Sequence, residues 1–189
     1  MTPAPSVYAP DPAQNPADGI LLTGSGGQLR LKMRRVSGSR GKRQPSGRAR
    51  FSAVTPVSIV SADDLAALIT AAREASAFAY CPYSKFRVGA AVLTGDREII
   101  GGCNVENASY GLTICAERNA IFRAVATGHR EIRALVLYTP TAKPVTPCGA
   151  CRQVLAEFGG DTTVVCICDG GESIATSLKE LLAMPFGAA

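Results

Sequence analysis

The sequence of 189 residues has a single histidine, no long apolar run and no apolar secretory segment after its N-terminus. Its apolar stretches are much shorter than the roughly 20 residues of a membrane-spanning helix, so no transmembrane helix is predicted. Without a secretory segment, we expect a cytoplasmic protein. The histidine, His129, follows a predicted helix and lies apart from the clustered cysteines, which predicts a solvated loop residue and not a metal ligand.

Acidic residues are almost absent from the first 55 positions. Residues 1–55 carry nine Lys/Arg and two Asp, are rich in Pro, Gly and Ser, and show no periodic apolar pattern. Such a stretch cannot bury enough apolar surface to offset its chain entropy, which predicts a disordered basic N-terminal extension. Its basic run also fits contact with an acidic partner, and Met33 is an alternative start of translation, but a solvated tail is the favoured interpretation.

Residues 56–189 form the predicted folded domain. They carry eleven Lys/Arg and thirteen Asp/Glu, a net charge of −2, so no nucleic-acid partner is expected for the folded part. Helical patterns alternate with buried strand patterns, which predicts a three-layer α/β/α domain around a mixed sheet. The predicted elements are a helix over 61–78 whose Ser61 and Asp64 resemble a capping box, strands 86–94 and 98–105, helix 115–127, strand 132–138, helix 148–158, strands 162–168 and 172–175, and a helix capped by Thr176 that ends at Leu182.

Three of the seven cysteines have the spacing of metal ligands. Cys148 and Cys151 are three residues apart at a predicted helix start, so both sulfurs face one side of the first turn. Cys115, at the start of another predicted helix, brings the ligands to three. Three protein ligands leave one tetrahedral position open, which is typical of catalytic and not structural zinc. Burial in the core is the favoured role of the other four cysteines, Cys81, Cys103, Cys166 and Cys168.

Two charged residues follow Cys115 directly. Glu117 lies two residues beyond the thiol, close enough to reach the open metal position without being a ligand. Three thiolates make the zinc centre anionic, so we expect compensation from the helix N-termini and from Arg118, which lies on the same helix face as Cys115. We predict that Arg118 donates a hydrogen bond to a ligand sulfur. A surface arginine is the alternative.

A polar pair ends the second predicted strand. Alternation along the strand places Asn104 and Glu106 on one face. An amide beside a carboxylate suits the vicinal hydroxyls of a sugar, whereas an ordinary turn is the alternative.

Several motifs together resemble the small zinc-dependent cytidine deaminases of the cytidine/deoxycytidylate deaminase family, which usually form homotetramers. The resemblance runs from about Ser61 to Phe186, and residues 1–55 have no counterpart in it. The tail 181–186 departs from the family pattern because it lacks the proline that normally follows the leucine pair. The motifs are Tyr80-Cys81-Pro82-Tyr83-Ser84-Lys85-Phe86, Val88-Gly89-Ala90-Ala91, Asn104-Val105-Glu106-Asn107, Ile114-Cys115-Ala116-Glu117-Arg118 and Pro147-Cys148-Gly149-Ala150-Cys151-Arg152-Gln153.

The resemblance implies a five-stranded α/β/α fold with one zinc ion per subunit. It also implies hydrolytic deamination of cytidine and 2'-deoxycytidine to uridine and 2'-deoxyuridine, with release of ammonia, in pyrimidine salvage. The implied site residues are the zinc ligands Cys115, Cys148 and Cys151, the proton shuttle Glu117, the ribose-binding Asn104 and Glu106, Phe86 against the pyrimidine, the Ala116 backbone against the base, and Phe186 from a neighbouring subunit.

Two other interpretations fit the same residues. One is a deaminase with the same zinc site that acts on guanine, a nucleoside antibiotic, a pterin-like or riboflavin precursor, or a base in nucleic acid. The other is a structural zinc module without catalysis, in which Cys103 supplies a fourth ligand.

Overall fold

The computed structural model describes residues 20–23, 30–33 and 60–187, which fall into two units. In the first unit, strands β1 (Ile20–Thr23) and β2 (Arg30–Met33) pair antiparallel, with Ile20 opposite Met33. This pair of strands was not predicted, because residues 1–55 show no periodic apolar pattern. The rest of 1–55 lies outside the described residues, so its disorder stays a prediction.

The second unit contains a mixed five-stranded sheet, as predicted. The strand order is β4-β3-β5-β6-β7, in which β5 and β6 are parallel and all other neighbours are antiparallel. In the described part of the chain, none of the helices has the length and apolar character to cross a membrane. The elements are α1 (Ala62–Ser76), β3 (Gly89–Thr94), β4 (Ile99–Cys103), a 3₁₀ turn (Tyr110–Leu112), α2 (Ala116–Ala126), β5 (Ile132–Thr139), α3 (Gly149–Phe158), β6 (Thr163–Cys168), β7 (Ser173–Ser177) and α4 (Leu178–Leu181).

Helices cover both faces of the sheet. Alternate strand residues point to opposite faces, so Ala91 and Leu93 of β3 pack with α1, whereas Ala90 and Val92 pack with the helices of the other face. That second face holds α2, α3 and α4 and contains the larger cluster of buried residues. The result is the expected three-layer arrangement, with α2 and α3 side by side on one face.

Small residues bring the helices close to the sheet. A Cβ atom on Gly89 would lie 1.9 Å from the Ala72 carbonyl oxygen of α1, and one on Gly102 would lie 2.3 Å from the backbone nitrogen of Ala120 in α2. A stripe of small residues along α2 is fully buried; its members are Ala116, Ala120 and Ala124. This close packing fixes the start of α2, and with it Cys115, against the sheet.

The first predicted strand is shorter than expected. It begins at Gly89 and not at residue 86, because the Asn104 side chain takes the place of a neighbouring strand. Its Oδ1 accepts from the Val88 N–H at 2.9 Å, and its Nδ2 donates to the Phe86 carbonyl at 2.8 Å. A side chain thus holds the segment before β3.

The predicted cap of α1 is confirmed without its capping box, and the predicted cap of the last helix is wrong. Ser61 caps α1 as expected, but the Asp64 carboxylate accepts a bond from the Ser61 hydroxyl and does not close a capping box on the backbone. Thr176 does not cap the last helix, because Ser177 makes the capping box there with Glu180. The helix starts one residue later than predicted, so the Ser177 hydroxyl and not the Thr176 hydroxyl caps it. Local sequence does not distinguish between two adjacent hydroxyl residues as caps.

Candidate metal centre and active site

The three predicted ligands meet where two helices begin. Cys115 is the N-cap of α2, Cys148 is the N-cap of α3, and Cys151 lies in the first turn of α3. Their Sγ atoms all lie within 4.8 Å of one another, and those of Cys148 and Cys151 are 3.4 Å apart. Among residues 60–187, these thiols form the one group of three or more candidate ligands with this geometry.

This thiol cluster fits a zinc ion. A Zn–S distance of about 2.3 Å in a tetrahedral site separates sulfurs by roughly 3.8 Å, close to the observed spacing. Cys103 is not part of the cluster, so residues 60–187 offer no fourth cysteine ligand there. It lies instead in a groove of about 310 Å³ between α1, β4 and α2, where it is only half-buried. Three thiols and no fourth ligand favour a catalytic over a structural zinc site.

The cluster is arranged to hold negative charge on sulfur. The hydrogen bond with the Cys151 thiol lowers the pKa of Cys115 and raises the pKa of Cys151, because the two sulfurs share one proton. Arg118 adds to the effect on Cys115: its Nη2 lies 3.7 Å from the Cys115 sulfur and donates to the Thr113 carbonyl at 3.1 Å. The contact expected from the spacing of Cys115 and Arg118 is therefore present.

Glu117 lies beside the thiols and is buried from solvent. It is the second residue of α2 and is only 4% exposed. Burial is the main cause that raises the pKa of its carboxyl group, and the negative charge of Cys115 raises it further. A buried carboxyl group next to a metal site, with its pKa moved towards neutrality, can both accept and donate a proton.

The two polar residues after β4 both contact the loop that precedes β3. Oε2 of Glu106 accepts from the backbone N–H groups of Tyr83 at 2.9 Å and Ser84 at 3.2 Å, while Oε1 accepts from the Ser84 hydroxyl. The Ser84 hydroxyl is the main cause that lowers the pKa of Glu106. Asn104 is 8% exposed, and its amide mainly holds the backbone of residues 86–88.

The remaining predicted site residues lie at three different places. Phe86 follows Lys85, which has a positive φ of 60°, and its ring is partly exposed. Ala116 is the buried first residue of α2. Phe186 lies in the C-terminal tail with 88% of its surface exposed. No contact within residues 60–187 brings the Phe186 side chain to the thiols.

Two residues that follow Cys151 were not among the predicted site residues. Arg152 donates to the Pro147 carbonyl at 2.7 Å, to Thr146 Oγ1 at 3.0 Å and to the Leu181 carbonyl at 2.9 Å. Gln153 pairs with the backbone of Phe186. Their position next to a metal ligand could have indicated a role in the site. Local spacing does not show their partners, however, because Leu181 lies 29 residues from Arg152 and Phe186 lies 33 residues from Gln153.

The prediction for His129 was partly wrong. It lies in the loop after α2 and outside the thiol cluster, as expected. Its side chain, however, is only 17% exposed, and Nδ1 contacts the Asp96 carboxylate at 2.9 Å. The turn between β3 and β4 carries Asp96 to the histidine, a contact that sequence spacing does not show.

A zinc site of three thiols, with a buried carboxyl group beside it on an α/β/α domain, defines a zinc-dependent hydrolase. Residues 62–168 match the family described as the cytidine and deoxycytidylate deaminase zinc-binding region. The chain belongs to this family, which confirms the resemblance found in its motifs.

Individual relatives agree with this assignment. The chain is 48% identical over 122 residues to a cytidine deaminase of Halalkalibacterium halodurans, covering 64% of this chain and 92% of the relative. It is 54% identical over 95 residues to a cytidine deaminase of Sporosarcina psychrophila, covering 50% and 70%. The crystal structure of a cytidine deaminase from Burkholderia pseudomallei superposes with a TM-score of 0.61 at 49% identity, covering 64% of this chain and 97% of the other.

Proposed function

We propose that this protein deaminates cytidine and 2'-deoxycytidine hydrolytically, producing uridine, 2'-deoxyuridine and ammonia for pyrimidine salvage in the cytoplasm. The observation that carries the proposal is the cluster of Cys115, Cys148 and Cys151 with the buried Glu117 beside it. The names of the similar proteins support the same reaction.

Glu117 carries out the proton transfers. Cys115, Cys148 and Cys151 would hold a zinc ion, which would supply an activated water molecule for attack at C4 of the pyrimidine. Glu117 accepts a proton from the attacking water and delivers it to the ring nitrogen N3. The same carboxyl group then takes the proton of the new C4 hydroxyl group and delivers it to the departing amine, so that ammonia leaves and the C4 carbonyl forms. Its burial suits this double role, because general acid–base catalysis is most effective when the pKa lies near the working pH.

Arg118 adjusts the charge of the metal centre. Three thiolates around Zn²⁺ leave a net charge of −1, which weakens the metal as a Lewis acid. A guanidinium 3.7 Å from the Cys115 sulfur withdraws part of that charge. The N-termini of α2 and α3 act in the same direction, since both begin at a ligand.

The polar residues after β4 select a nucleoside. A carboxylate has about four acceptor positions, and Glu106 uses three of them on Tyr83 and Ser84, which leaves one for a ribose hydroxyl. Asn104 completes the ribose contact and holds Phe86, whose ring packs on the pyrimidine. The backbone at Ala116 contacts the base. A ribose-binding pair favours a free nucleoside over a free base.

The active protein is a homotetramer with one zinc ion per subunit, in which Phe186 reaches the site of a neighbouring subunit. Support comes from the two large apolar side chains of the tail, since Met184 is 90% and Phe186 is 88% exposed. Exposed apolar groups of this size are typical of contact surfaces.

A spectrophotometric assay tests the proposal. Absorbance should fall with cytidine and deoxycytidine but not with cytosine or single-stranded DNA. Glu117→Gln should keep full zinc occupancy and lose at least about 10²- to 10⁴-fold in kcat, the usual contribution of a general acid–base group. The matched control is Glu157→Gln, an exposed glutamate on α3, which should keep normal kcat. Reaction with the free base or DNA alone, or near-normal turnover of zinc-loaded Glu117→Gln, would contradict the proposal.

A further inference from the structure

A side-chain amide on the metal-binding helix holds the backbone of the C-terminal tail. Gln153 lies on α3, two residues beyond the ligand Cys151. Its Nε2 donates to the Phe186 carbonyl at 2.7 Å, and its Oε1 accepts from the Phe186 N–H at 2.9 Å. Both polar backbone groups of one tail residue are therefore bound by one side chain.

The chemistry of this contact requires glutamine. A carboxamide offers a donor and an acceptor side by side, so it pairs with a backbone residue through both its N–H and its carbonyl. Glutamate at position 153 would lack the donor, and asparagine would be one methylene shorter. Two bonds to one residue also limit its backbone rotation, and this restricts the direction of the Phe186 Cα–Cβ bond.

A second anchor holds the other end of the tail. Arg152 donates to the carbonyl of Leu181 and also binds Thr146 and Pro147, which directly precede the ligand Cys148. Arg152 and Gln153 thus bind the backbone of residues 181 and 186, respectively. Arg152 also binds the loop residues that precede Cys148. The ring of Phe186 stays 88% exposed despite this backbone contact.

We propose that Gln153 is a positioning residue, which fixes the Phe186 backbone so that the exposed ring enters the nucleoside site of a second copy of this chain. The inference rests on the proposed function and on the placement of Phe186 within it. Gln153 does not act on the reacting atoms. Its loss should therefore weaken nucleoside binding and leave the proton transfers of Glu117 intact.

A double-mutant cycle tests this role. The variants are Gln153→Ala, Phe186→Ala and the combination, assayed with cytidine. Gln153→Ala should raise KM about tenfold, as expected for two lost hydrogen bonds, with kcat within about twofold and zinc content unchanged. Because Gln153 acts through Phe186, the double variant should be no worse than Phe186→Ala alone. Gln153→Glu, which keeps the acceptor but sets an oxygen against the Phe186 carbonyl oxygen, should also raise KM.

Two further measurements separate positioning from a general structural effect. The amide proton of Phe186 should exchange faster in Gln153→Ala than in the wild type, while the control Glu157→Ala should change neither exchange nor KM. If the single effects multiply in the double variant, or if Gln153→Ala lowers zinc content or kcat instead, the inference is wrong and the proposed function stands. A wild type that deaminates no nucleoside overturns both.

Discussion

The two halves of the site are built differently. The metal half is held by two helix N-termini on one face of the sheet and consists of Cys115, Glu117, Cys148 and Cys151. The proposed binding half is held by loops and the tail and consists of Phe86, Glu106 and Phe186. Glu117 in the metal half is 4% exposed, whereas Phe186 in the binding half is 88% exposed.

The contrast shows which forces set each geometry. The metal half takes its positions from core packing, since α2 approaches the sheet at Gly102 through a stripe of alanines. The binding half takes its positions from a few polar contacts, such as those of Ser84 with Glu106 and of Gln153 with Phe186. Substitutions in the metal half should therefore abolish chemistry, whereas those in the binding half should change affinity.

Removal of a ligand should have the largest effect. Cys151→Ala leaves two thiols, too few for a stable zinc site, so we expect loss of zinc and of all measurable activity. A chelator should lower the melting temperature of the wild type but not that of the variant, because the metal stabilises only the folded state. The control is Cys168→Ala, a buried cysteine of β6 outside the cluster, which should keep its zinc. Stoichiometric zinc in Cys151→Ala would remove the distinction between the two halves.

Arg118→Gln should have an intermediate effect. Loss of the guanidinium near Cys115 should reduce zinc affinity or kcat by about 10- to 100-fold, the usual range for a residue that supports a metal ligand. Zinc competition with a chelator and steady-state kinetics measure the two quantities. Arg123→Gln on the same helix is the matched control, since that arginine contacts the Gly101 carbonyl and not a thiol. Equal behaviour of the two variants would exclude charge compensation by Arg118.

The smallest effect is expected in the binding half. Glu106→Gln should raise KM up to about tenfold with little change in kcat, because a neutral amide is a weaker acceptor for a ribose hydroxyl.

The pH dependence of that binding follows from the pKa of Glu106. The Ser84 hydroxyl and the nearby N–H groups hold this pKa below its ordinary value of about 4.3. The charged form, and the stability it contributes, is therefore lost only as the pH falls through the lowered pKa. The contribution of Glu106 to the KM of the wild type should therefore not change between about pH 7 and pH 5. A rise in KM over that range that is absent in Glu106→Gln would show that the carboxylate is not held in this way.

The sequence predicted local features well. Spacing of three residues put two thiols on one helix turn, and the alternation of helical and strand patterns predicted a three-layer domain around a mixed sheet. The errors arose where contacts cross long stretches of chain. Asn104 replaced a strand partner for residues 86–88, and Asp96 reached His129 from another turn. Residue pattern does not encode such partners.

By itself, the sequence determined which atoms we expect to bind the metal and which carboxyl group we expect to lie beside it, because thiolate chemistry and helical spacing are properties of neighbouring residues. Only the tertiary structure decided that Cys115 meets Cys148 and Cys151, since that requires α2 and α3 to pack on the same face of one sheet. It also decided that Gln153 holds Phe186, a contact across 33 residues. Distant residues meet only after the core is buried, and burial is a property of the whole chain.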